Sequence, residues 1–180
     1  MMKCLLFCCI WLVVMPAAAV AEMLTLDNGG VSFEAPDGFK PLSRTLVASK
    51  YPRAQPPRYV IGNEAATTTI AYDIKPHDIP MDKIDEFREA FTKVLPRMIP
   101  GLEWKRNETV MLGGRKWALF EMTSFALDVD IYNIMLFTGY KGQMLLFNFN
   151  STKNEFPAYE AALRQSMRSI QVNAAAEVTD

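Results

Sequence analysis

His77 is the single histidine among 180 residues, and it sits beside a carboxylate in Lys75-Pro76-His77-Asp78. A histidine oriented by an acid can activate a serine hydroxyl for acyl transfer. Adjacent loop residues rarely reach that geometry, and no serine stands in a Gly-x-Ser-x-Gly setting. Asp78 is better explained as a helix-entry residue near the positive end of a helix dipole. A hydrolase using His77 is kept as the alternative reading only. Cys4, Cys8 and Cys9 are the three cysteines of the chain, and all precede residue 22. The rest therefore offers no thiol for nucleophilic catalysis, a zinc thiolate site or an iron–sulfur cluster, and one histidine excludes a His-rich metal site. No P-loop or dinucleotide glycine pattern occurs. Asp128-Val129-Asp130 puts two carboxylates on one side of an extended segment, too few oxygens for calcium, and reads as a polar connection between apolar strands. Trp104 and Trp117 stand at strand positions where aromatic rings are core. No catalytic residue, metal or cofactor is expected.

The remaining chemistry is recognition. Lys50 to Glu64 reads Lys-Tyr-Pro-Arg-Ala-Gln-Pro-Pro-Arg-Tyr-Val-Ile-Gly-Asn-Glu. Lys40, Arg44, Lys50, Arg53 and Arg58 place five cations in nineteen residues, with no acid between Asp37 and Glu64. Prolines lower the ordering cost of a binding loop, and Tyr and Arg are enriched at interface hot spots. Lys50, Tyr51, Arg53, Arg58, Tyr59, Asn63 and Glu64 are thus the candidate partner-binding residues, forming a rim for an acidic protein or an anionic headgroup. The plainer reading is a solvated cationic loop whose tyrosines cover a sheet edge.

These residues need elements to hold them. Met23 to Leu26 and Val31 to Glu34 read as a hairpin around Asp27-Asn28-Gly29-Gly30. A short helix is expected from Ser43 to Lys50, and a strand pair from Tyr59 to Ile61 and Thr67 to Ile74. The clearest helix runs from about Pro80 to Leu95, with Ile84, Phe87, Phe91, Val94 and Met98 on one stripe and Pro96 bending or ending it. Four strands follow: Leu102 to Leu112, Arg115 to Ser124, Ile131 to Tyr140 and Gln143 to Asn150. Gly113-Gly114 and Lys141-Gly142 are two-residue hairpin connections. Leu145, Phe147 and Phe149 point one way and Met144 and Leu146 the other, so both faces of the sheet centre are expected to be covered. A final helix from about Glu155 to Ile170 buries Phe156, Tyr159, Leu163, Met167 and Ile170. A polar tail closes the chain.

Lys3, the apolar run Leu5 to Met15, Pro16 and the small residues Ala19 and Ala21 predict a secretory signal cut before Glu22. Its apolar stretch is shorter than the roughly 20 residues of a spanning helix. The mature chain would be one exported, periplasmic or extracellular domain over residues 22–172, with a flexible tail over 173–180. Its net charge of −1, or −2 without Lys3, argues against nucleic acid. No second run is long enough to cross a membrane, although the cationic loop allows contact with an anionic membrane surface as a further alternative.

The order of elements, with an apolar strand ending in Phe33-Glu34-Ala35-Pro36-Asp37-Gly38-Phe39, a central helix, a meander of hairpins and a C-terminal helix, resembles the PsbP-like superfamily, including its DcrB-type periplasmic members. The resemblance spans roughly Leu24 to Val172. It implies an α+β fold, an α/β/α sandwich on one largely antiparallel sheet of six to eight strands, and no shared catalytic residues. It also implies a role in binding or supporting another protein, as an accessory or immunity-type factor.

Overall fold

The structure, a computed structural model, describes residues 22–52, 55–126 and 129–173. The expected signal segment, Arg53, Asp128 and the tail beyond Asn173 lie outside them. The strands are β1 (Glu22–Leu26), β2 (Val31–Ala35), β3 (Lys40–Pro41), β4 (Tyr59–Gly62), β5 (Thr68–Lys75), β6 (Glu103–Leu112), β7 (Arg115–Ala126), β8 (Val129–Tyr140), β9 (Gln143–Thr152) and β10 (Gln171–Val172). The helices are α1 (Arg44–Lys50), α2 (Ile84–Met98) and α3 (Phe156–Arg168). Seven strands pair antiparallel in the order β3-β4-β5-β9-β8-β7-β6, and β1-β2-β10 make a smaller sheet.

Local chemistry accounts for the meander. Gly113 and Gly114 have φ of 56° and 75°, and Lys141 and Gly142 have 51° and 64°. Positive φ at both central residues is what a tight hairpin turn with the right twist requires. In β9, Leu145, Phe147 and Phe149 are buried on one face, whereas on the other Met144 is buried and Leu146 half-buried, so the double coverage expected from the sequence is present at one end of the strand and incomplete along the rest.

One face carries α3 and the β1-β2 hairpin. Phe156, Leu163, Met167 and Ile170 enter this core with Val31 and Phe33, and Pro157 occupies the first turn of α3. The Phe147 ring lies 5.4 Å from Phe33, 5.5 Å from Tyr72 and 6.2 Å from Trp117. Beside this apolar cluster, Glu121 of β7 is only 1% exposed. Both nitrogens of the Arg164 fork donate to it at 2.8 and 2.9 Å, Arg106 donates at 2.7 Å and the Tyr132 hydroxyl at 2.9 Å.

The chain ends meet on this face. Strand β2 lies between β1 and β10, with Ser32 opposite Gln171 and Val31 opposite Val172. The Asn173 amide donates to the Gly30 carbonyl at 2.9 Å, and the Glu34 amide donates to Ser169 Oγ at 2.8 Å. Tyr140 donates to the Asp27 carboxylate at 2.6 Å, which ties the first hairpin to the tip of β8.

The opposite face carries α2, whose Ile84, Phe87, Phe91 and Leu95 pack over Ala118, Phe120, Met122 and Phe137. Two details differ from the sequence reading. The helix continues through Pro96 to Met98, because a proline in the last turn forfeits only its own backbone bond. The chain leaves the helix at Ile99, which precedes Pro100 and is held extended at φ −116°, ψ 109°. Leu95 is also buried in place of Val94, and Met98 is 67% exposed. The apolar residues of α2 therefore wrap past the contact with the sheet.

Candidate functional site

Helix α2 covers β6, β7 and part of β8, and leaves the neighbouring strands of the same face uncovered. The strand register defines what lies there. Ala71, Asn148 and Met135 stand in one row across β5, β9 and β8, and Thr69, Asn150, Asn133 and Met122 stand in the next. The result is an open trough of about 360 Å³, within the size range of about 300–1,000 Å³ typical of ligand sites. One wall is Tyr51, Gln55 and Pro57; the other is the end of α2 with Met98, Ile99, Pro100 and Phe125.

Each wall has a local cause. Ser43 caps α1 by accepting the Leu46 amide at 3.3 Å, and Tyr51 follows directly with its hydroxyl 3.4 Å from Thr69 Oγ1. Burial pushes the Tyr51 phenol up from its ordinary pKa. On the other wall Gly101 adopts φ +64°, and a side chain there would strike the Phe125 ring. That ring lies over the glycine yet is 59% exposed, an apolar surface at the mouth of the trough.

The floor is polar. Asn150 Nδ2 donates to Asn133 Oδ1 at 2.7 Å, and Asn133 Nδ2 donates to Ser124 Oγ at 3.1 Å. This amide row crosses three strands. Asn148 differs, because its Oδ1 is shielded and has no hydrogen-bond partner among the described residues. Asp73, with a side chain 7% exposed, closes the β5 side. Lys75 Nζ lies 2.5 Å from it and Arg58 Nε 3.9 Å away. Two cations thus face one carboxylate, an excess of positive charge at that end of the trough.

The residues singled out in the sequence divide among several places. Tyr51 lines the trough and Arg58 stands next to Asp73 with its side chain 53% exposed. Lys50 donates its ammonium to the Ala66 carbonyl at 3.0 Å, and burial draws its pKa below the ordinary lysine value. Tyr59 packs against the core on the α3 face, where burial raises its phenol pKa. Asn63 Nδ2 donates to Thr67 Oγ1 at 3.0 Å and to the Tyr159 hydroxyl at 3.3 Å, closing the β4–β5 turn. Glu64 is exposed in that turn, and His77 and Asp78 are exposed in the bend before α2. Among the described residues no side-chain hydrogen bond or ion pair joins His77 to a neighbour. The sequence reading passed over Asn133, Asn148 and Asp73. Asparagine is depleted in strands, so two of them alternating with Phe147 and Phe149 was the signal available.

No family model matches the sequence, and no curated protein sequence matches it. Solved structures do match. Cyanobacterial PsbP (CyanoP) from Synechocystis sp. PCC 6803 superposes with a TM-score of 0.59 at 14% identity, covering 90% of this chain and 99% of that one. The Saccharomyces cerevisiae Ran-binding protein Mog1p gives 0.57 at 12% identity, covering 89% and 99%. LpqN, involved in cell envelope biogenesis of Mycobacterium tuberculosis, gives 0.55 at 12% identity, covering 86% and 91%. The chain has the PsbP-like fold, as the order of its elements implied. Among the described residues no helix is long and apolar enough to cross a membrane.

Proposed function

We propose that this protein is an exported, non-catalytic accessory factor that binds another protein, with the trough and its proline- and tyrosine-bearing rim as the contact surface. The observation that carries the reading is the uncovered sheet centre between Tyr51 and α2. A protein able to bury both faces of its sheet leaves this strip open, polar on the floor and apolar at Met98 and Phe125 on the rim. Exposed large apolar side chains beside a concave site with a few placed polar groups mark an interaction site. Among proteins of this fold, Mog1p is a Ran-binding protein and LpqN is involved in envelope biogenesis. The first supports binding, and the second supports work connected with the cell envelope.

Two measurements test the reading. Purified from the exported fraction, the protein is expected to begin at Glu22; a retained Lys3 in that material contradicts export by a cleaved signal. In affinity capture from periplasmic extract, Arg53→Glu with Arg58→Glu is expected to lose the captured partner. Arg58→Gln, which puts no like charge beside the shielded Asp73 carboxylate, is expected to lose the partner as well, which separates lost contact from lost fold. Unchanged capture by the double variant removes the cationic rim from the interface.

A further inference from the structure

From this protein-binding reading, we infer that the trough takes an extended peptide segment of the partner, carrying an apolar residue near a carboxylate. Three features of the site fix that chemistry. Strand spacing of about 4.8 Å makes a floor of three strands roughly 10 Å across, the width of one extended chain with its side chains. The row of Asn150, Asn133 and Ser124 offers amide and hydroxyl groups across the floor, while Met98, Ile99 and Phe125 receive an apolar side chain. The excess cation at Asp73, Lys75 and Arg58 selects a carboxylate over an ammonium at the β5 end.

Asn148 is the key residue. A shielded polar atom without a partner is destabilising, and the protein carries that burden at the centre of its sheet. Among the described residues no hydrogen bond holds this carboxamide, so rotation about χ2, a soft torsion, turns its oxygen toward the trough, where it accepts a backbone N–H of the incoming segment. Asn148 thus belongs to recognition and costs the free fold stability.

That assignment makes an unusual forecast. Asn148→Leu removes the orphaned group, so the melting temperature rises by about 2–4 °C for each kcal/mol regained, while peptide binding falls at least tenfold. The test is selection of a displayed random heptapeptide library on the intact protein, with Asn148→Leu protein as counter-target. Enrichment of sequences pairing Leu, Ile, Val or Phe with a neighbouring Asp or Glu supports the assignment, as does a tenfold or greater loss of affinity in both Asn148→Leu and Lys75→Gln. Enrichment of basic peptides, no enrichment, or affinity for either variant equal to that of the parent overturns it. So does binding to phosphatidylglycerol vesicles, or concentration-dependent self-association, that Asn148→Leu abolishes. If the partner captured from extract is held equally by Asn148→Leu and the parent, the peptide trough fails while protein binding stands. If no partner is captured by the parent, the broader reading fails on its own account.

Discussion

Replacing Arg164 by Met lowers the unfolding free energy by about 3 kcal/mol, the lower end of the cost of breaking a buried ion pair. Glu121 is enclosed between β7 and α3, and Arg164 alone supplies two of its four hydrogen bonds. Removing the guanidinium leaves a carboxylate out of water with Arg106 and Tyr132 still attached, which is why the loss stays at the low end. Methionine keeps the apolar stem over the sheet, so the measured change reports charge and not packing. The urea midpoint is the observable, read at constant m-value. Acid titration separates the mechanism further. Burial alone would raise the Glu121 pKa, but the hydrogen bonds from Arg164 and Tyr132 and the charges of Arg164 and Arg106 hold it below the ordinary value. A folded-state pKa below the unfolded one, about 4.3 for glutamate, stabilises the fold fully above that pH. The contribution is lost as pH falls toward the folded-state value. Asp27 acts with the same sign, its pKa lowered first by the Tyr140 hydrogen bond. Between neutral pH and pH 3 the parent therefore loses more stability than Arg164→Met does; parallel acid curves contradict the account.

Phe147→Ala costs about 3–5 kcal/mol, the range for emptying a buried aromatic site. Phe147 is fully buried on β9, between β5 and β8 at the middle of the large sheet. Its ring meets Phe33 from the small sheet above, Tyr72 from the adjacent β5 and Trp117 from β7 on the far side of β8. These neighbours sit on paired strands and cannot slide into the space, so the cavity persists and its full cost is paid. Chemical denaturation measures the loss, and xenon binding to the variant reports the cavity. A cost under 1 kcal/mol would mean that the two sheets collapse onto one another.

The strands and their hairpins were legible because their signals are local. Gly113-Gly114 and Lys141-Gly142 adopt positive φ, and the runs around the second turn are long and apolar. The stripe of α3 was equally clear, since Phe156, Leu163, Met167 and Ile170 all face one layer. For α2 periodicity alone could not choose between Val94 and Leu95, because which flank of an amphipathic helix meets the sheet depends on tertiary packing. Met98 fits the helical stripe by spacing and yet walls the trough. The short pairs β3 and β10 have two residues each and no pattern to read. The trough itself was hidden for a different reason. Asn133, Asn148 and Asn150 come from two strands, and only the register of β8 against β9 brings them into adjacent rows. Tyr51 and Arg58 were singled out for their composition, whereas Tyr59 and Asn63 came from the same run and face α3.

The placement of β2 between β1 and β10 governs the timing of assembly. The second strand to be made acquires its last neighbour only when residues 171–172 exist, and its closing contact waits for Asn173. Seals of such high sequence separation form slowly. During synthesis the first hairpin therefore lacks its outer neighbour until residues 171–173 are present. Completion of the C-terminus then acts as the latch.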